Sequence, residues 1–103
     1  VLIYIASAYT LGDTVENIRK ACLAGDEILA KGHTPFVPHL SHLYHFISPK
    51  PWETWLKLDA EFLARCDALL RLEGISKGAD LEVEMAKYLE MPIYYSLDEI
   101  PQV

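Results

Sequence analysis

Gly74-Ile75-Ser76-Lys77-Gly78-Ala79-Asp80-Leu81-Glu82 (GISKGADLE) follows the apolar run Ala68 to Leu72 and leads into a helical pattern that continues to Glu90. A strand, a glycine-bearing turn and a helix start in direct succession predict an α/β fold. The same junction predicts a site. The first N–H groups of a helix are unpaired and lie at the positive end of its dipole, so the turn attracts anions. Glu82 is expected in the first helical turn, its carboxylate at the edge of that volume and favoured in its ionised form.

Outward from this stretch the pattern repeats. Val1 to Ala6 (VLIYIA) is apolar and β-branched, as in a strand buried on both faces. Ser7 to Asp13 reads as a turn, and Asp13 with Glu16 resembles a capping box that opens a helix running to Lys31. Val15, Ile18, Cys22, Gly25 and Leu29 fall on one face of it, and Gly32 is its natural stop. Gly25 inside a helix costs roughly 1 kcal/mol against Ala, which implies close packing there. Thr34 to Pro38 reads as a second strand and His39 to Lys50 as a loop. Pro51 fits the first position of a helix reaching Cys66. Ala68 to Leu72, the helix Ala79 to Glu90, a strand Pro92 to Tyr95 and the tail Ser96 to Val103 complete the chain. Alternating strands and helices imply a three-layer, Rossmann-like (flavodoxin-like) α/β domain over residues 1–103, with four to five mostly parallel strands. In such sheets ligands bind beyond the carboxyl ends of the strands, where Ser7, the His39 region and GISKGADLE emerge.

Composition narrows the partners. With 51% apolar residues the chain is no disordered segment. A net charge of -6 argues against a nucleic acid polymer, while leaving a single nucleotide to a few local donors. No apolar run approaches the ~20 residues of a membrane span, and no signal-peptide pattern is present. The start at Val1 suggests processing. Cys22 and Cys66 fall in helical patterns, as reduced thiols do, and imply a cytoplasmic setting.

Gly74-Ile75-Ser76-Lys77-Gly78 also matches the G-x-S-x-G nucleophile elbow, but all four histidines precede Ser76, the reverse of the order that a hydrolase of that fold needs. The carboxylates carry more. Asp59 interrupts the apolar stripe Trp52, Trp55, Leu56, Phe62, Leu63 and Cys66, and an acid on a buried face is costly unless paired or functional. Burial would raise its pKa and suit it to donate a proton, whereas a helix start would keep Glu82 ionised. His39-x-x-His42-x-x-His45 invites a metal by its spacing, yet no cysteine or H-E-x-x-H accompanies it. A histidine facing a ligand is the reading adopted, with His39 and His42 as candidates. Tyr4 is either core or a hydroxyl reaching the site. Tyr44, Phe46, Trp52 and Trp55 are either core or a surface on which a planar ring stacks.

With these residues in place, the chain resembles the nucleoside 2-deoxyribosyltransferase superfamily, including the 2'-deoxynucleoside 5'-phosphate N-glycosidases. The resemblance runs from YIASAYT through LDAEFLARCDALLRL to GISKGADLEVEMA, with Ala6-Ser7-Ala8 where the family usually carries a glycine turn. It implies that Glu82 is the nucleophile on C1' of the sugar, that Asp59, eight residues before Asp67, is the acid–base group, and that Tyr4 orients the nucleophile. Ser76 would help bind a 5'-phosphate, with Gly78, Ser7, His39 and His42 as further binding residues. No cofactor and no metal are implied, and a homodimer or higher homo-oligomer is. Hydrolysis of a nucleoside 5'-monophosphate leads, ahead of base exchange by a deoxyribosyltransferase and of a non-catalytic nucleotide-binding domain.

Overall fold

The computed structural model describes residues 1–9 and 12–103. Thr10 and Leu11, which belong to the expected turn Ser7 to Asp13 and to the YIASAYT stretch, lie outside the described residues. Four strands, β1 (Leu2–Ala6), β2 (Thr34–Phe36), β3 (Ala68–Arg71) and β4 (Ile93–Tyr94), form one sheet in the order β2-β1-β3-β4. Every pairing is parallel, with Tyr4 beside Phe36 on one side and beside Leu69 on the other. The expected α/β architecture is therefore realised with four strands, all parallel.

Helices cover both faces. Helix α1 (Thr14–Ala30) packs Ala21, Ala24 and Ile28 on Ile3, Ile5, Ala68 and Leu70, and Ile100 closes this core. Helices α3 (Trp52–Leu63) and α4 (Lys77–Tyr88) cover the other face, where Leu63, Ala79, Val83 and Ala86 meet Tyr4, Ala6 and Leu69. Full burial of each large aliphatic side chain is worth about 1.5–3 kcal/mol, so these two clusters carry most of the stability. Asp13 caps α1 as expected, its Oδ1 accepting the Glu16 N–H at 3.0 Å. Among the described residues Glu16 makes no reciprocal bond to the Asp13 N–H. Its carboxylate faces Arg19 at 3.3 Å on the exposed surface.

Several expectations are corrected. The buried stripe of α1 is Ala21, Ala24, Gly25 and Ile28, whereas Val15 and Leu29 are exposed. The small side chains bring the helix close to the sheet: a Cβ added at Gly25 would lie 3.4 Å from Val37 and 3.6 Å from Pro35, the close packing foreseen there. The second strand ends at Phe36, because Pro38 opens a 3₁₀ turn, Pro38–Ser41, which runs into α2 (His42–Ile47). Residues 39–50 are thus largely helical and not a loop. Helix α3 begins after Pro51 and ends at Leu63, short of Cys66. Helix α4 spans Lys77–Tyr88 and not 79–90. Ser76 is its N-cap and accepts the Ala79 N–H at 3.1 Å. That shift moves Glu82 into the second turn, where it is buried.

Candidate active site

The carboxyl ends of β1 and β3 open into a cavity of about 770 Å³, within the size range of small-molecule sites. Ser7, Tyr9 and His39 line one side, and Ser76, Lys77, Gly78 and Glu82 the other. Trp52, Trp55 and Asp59 of α3 also line it, with His45 and Lys50. Of the site residues expected from the sequence, Ser7, His39, Asp59, Ser76, Gly78 and Glu82 therefore share one volume. Tyr4 stands behind it, and its hydroxyl donates a hydrogen bond to Glu82 Oε2. His42 does not line the cavity; its Nδ1 is hydrogen-bonded to the Tyr9 hydroxyl.

Each group is held by its element. Tyr4 is fully buried in the middle of β1, on the sheet face that α4 covers, so it meets the second turn of that helix. Gly74, at φ 125°, turns the chain sharply between β3 and α4, a conformation that side-chain-bearing residues rarely adopt. Arg71 pins the same turn: it donates to Leu72 O, to Gly74 O at 2.9 Å and to the Asp80 carboxylate at 3.0 Å. The N–H groups of Lys77 and Gly78 precede the first intrahelical bond and have no partner among the described residues. A Cβ on Gly78 would meet no protein atom within 4 Å, so this face of the turn adjoins open cavity. The Ser76 oxygen accepts from Ala79, which leaves its O–H to donate.

The electrostatics differ from expectation in one respect. Burial pushes the Asp59 carboxyl up to about 6, as foreseen, and its Oδ1 is buried without a partner among the described residues. Glu82 is also pushed up, to about 7, and not held down by the helix start. The main cause is burial, and the nearby Asp59 charge adds to it. The Tyr4 hydrogen bond and Arg71 act in the opposite sense. Burial and the two carboxylates together keep the Tyr4 phenol protonated far above its ordinary range.

The three histidines diverge. His39 Nε2 donates to Ala8 O at 2.8 Å and lies 3.1 Å from Ser7 Oγ, so its neutral ring ties down the turn after β1. Burial holds it below the usual histidine pKa. His45 Nδ1 accepts from the Trp55 indole at 2.7 Å. Among the described residues no three His, Cys, Asp or Glu side chains are grouped to hold a metal ion, and no helix is long and apolar enough to cross a membrane. Sequence reasoning missed Arg71, because a single charge ending an apolar strand carries no pattern. It missed the role of His45 because the Trp55 donor lies ten residues further on.

A family model covering residues 1–96 matches the sequence. The chain belongs to the family described as Domain of unknown function (DUF7768). Among solved structures, a 2-deoxyribosyltransferase from the psychrotolerant bacterium Bacillus psychrosaccharolyticus superposes on this DUF7768 domain with a TM-score of 0.68. The match covers 90% of this chain and 69% of that one, at 20% sequence identity. The shared fold agrees with the expectation drawn from the sequence. No curated protein matches.

Proposed function

We propose that the protein cleaves the N-glycosidic bond of a nucleoside 5'-monophosphate through a glycosyl ester on Glu82, releasing the free base. One observation carries this reading: Glu82, buried and bonded to Tyr4, shares a cavity with Asp59, whose Oδ1 has no partner. Tyr4 occupies Oε2, which leaves Oε1 to attack C1' as the bond to the base breaks. Charge develops on the sugar as an oxocarbenium-like cation, so a buried carboxylate is worth more in that state than before it. Asp59 delivers its proton to the departing base nitrogen. As a carboxylate it then takes a proton from water, which attacks C1' and frees Glu82. The products are the base and the sugar 5-phosphate.

In the free pair Glu82 holds the higher value, so the single proton rests there. The Tyr4 bond and Arg71, which favour ionised Glu82, and an Asp59 Oδ1 without a partner among the described residues support moving that proton to Asp59 once substrate puts a developing cation beside Glu82. The 5'-phosphate fits the N–H groups of Lys77 and Gly78, with the Ser76 and Ser7 hydroxyls as further donors. A hydrogen bond to a charged group is worth roughly 1.5–3 kcal/mol, so Ser76→Ala is expected to weaken nucleoside 5'-monophosphates about 10–150-fold and the matching nucleosides far less. Its lost cap costs about 1 kcal/mol of stability as well, which thermal melts will register separately.

A second reading is base exchange, favoured by the shared fold with a 2-deoxyribosyltransferase. Chromatography of deoxynucleosides and their 5'-monophosphates, incubated with and without a free acceptor base, separates the two. Free base without acceptor supports hydrolysis. A new nucleotide only in the presence of acceptor supports exchange. Unchanged substrate in every mixture counts against both.

A further inference from the structure

The cavity wall holds a histidine whose ring proton is assigned by its neighbours. His45 Nδ1 lies 2.7 Å from Trp55 Nε1 and 3.3 Å from the backbone N of Lys50. An indole N–H and a peptide N–H can only donate, so Nδ1 must carry a lone pair, and the proton of the neutral ring sits on Nε2. Nε2 has no bonding partner among the described residues, although the ring lines the cavity. Trp55 is itself braced. The Tyr44 ring meets it edge-on at 5.1 Å and His45 at 5.6 Å. Lys50 Nζ lies 4.6 Å from the centre of Tyr44 and is tied to the Ser48 carbonyl at 3.2 Å and to its hydroxyl at 2.9 Å.

Trp55 precedes Asp59 by four residues on α3, about 6 Å along the helix axis. A planar base protonated by Asp59 and extending along α3 brings its outer edge to Trp55 and His45. We infer that His45 is a specificity-determining residue: its Nε2–H donates to an acceptor on the outer edge of the base, so that the site prefers oxo-bearing over amino-bearing rings. An amino group in that place would set two donors face to face and leave both unsatisfied, the kind of mismatch that polar sites reject most strongly. The inference rests on the nucleotide reading of the cavity and adds to it which base edge is read.

Calorimetric titration of the full chain, in a Glu82→Gln background to prevent turnover, tests this with four 2'-deoxynucleoside 5'-monophosphates. Hypoxanthine is paired with adenine, and uracil with cytosine. In each pair the oxo ligand is expected to bind about 5–10-fold tighter, and His45→Phe should bring that ratio to about one. Where His45→Phe fails to fold, His45→Gln replaces it; its amide rotates to serve either ligand, and the ratio again collapses. A two-bond ¹⁵N–¹⁵N coupling across the hydrogen bond from Trp55 Nε1–H to His45 Nδ1 reads the ring state without any ligand. A preference that survives in the folded variants, a preference for amino ligands, or a missing coupling overturns the inference. Binding of none of the four, with the coupling intact, overturns the nucleotide reading and this inference with it.

Discussion

On the α1 face the strands contribute Ile3, Ile5, Ala68 and Leu70, which pack with Ala21, Ala24, Ile28 and Ile100 in an apolar core. On the opposite face the same strands contribute Tyr4, Ala6 and Leu69, and α4 adds the buried carboxylate of Glu82. Strand alternation produces both faces from segments of five and four residues, since successive side chains point to opposite sides. The first face is built only for burial. The second gives up stability to hold ionisable groups out of water. Substitutions on the two faces should therefore differ in kind.

The largest expected effect is that of Glu82→Ala: turnover should fall by on the order of 10⁴–10⁶ while the circular dichroism spectrum stays that of the parent. More than about a tenth of the parent turnover in this variant would remove Glu82 from the chemistry. Next in size, Asp59→Asn should slow turnover by about 10²–10⁴. The parent protein should show a bell-shaped pH profile of turnover between the values of about 6 and about 7 held by the two carboxyls. Its limbs belong to the pair, and Asp59→Asn should erase the basic one. Substrates with an activated leaving group should be spared in Asp59→Asn but not in Glu82→Ala. Equal slowing of both substrate types would make Asp59 structural.

The other face should behave in the opposite way. Ile28→Ala removes a fully buried side chain from the α1 core and should cost about 2–5 kcal/mol by denaturant titration, with kcat per folded molecule unchanged. Glu82→Gln should instead stabilise the chain. The parent carboxyl, raised from 4.5 to about 7, keeps its proton in the folded state at pH values where the unfolded chain has lost it. Folding takes up a proton in that window, so stability falls as pH rises through it. Relative to the parent, Glu82→Gln should gain on the order of 1–3 kcal/mol at pH 8 and nothing at pH 4. A loss at both pH values would mean that the charge is not under strain.

Much of this contrast could be read from the residues. The strand–turn–helix at 68–82, the Asp13 cap and the close approach at Gly25 follow from local chemistry, and so does the odd position of Asp59 in an apolar stripe. The rest depends on partners far apart in the chain. Helix α2 is six residues of His, Leu, Tyr, Phe and Ile, too short to show a period. The stripe on α1 was misplaced because Ala21 and Ala24 carry little hydrophobic signal, yet they are what lets the helix approach the sheet. Gly78 made the start of α4 read late, although a glycine is tolerated in a first turn capped by Ser76. That shift alone changes Glu82 from an exposed helix-start acid into a buried one, and its pKa from low to high.

Whether Glu82 forms a bond to the sugar is tested most directly by trapping. A nucleoside 5'-monophosphate with fluorine at C2' slows both formation and breakdown of the oxocarbenium-like state, and a good leaving group restores formation. Incubation with such a substrate followed by intact-mass and peptide mass spectrometry should show one added sugar phosphate, on the peptide that contains Glu82 and in its place. An adduct on another residue, or base release with no adduct at any time, would contradict the covalent role assigned to Glu82.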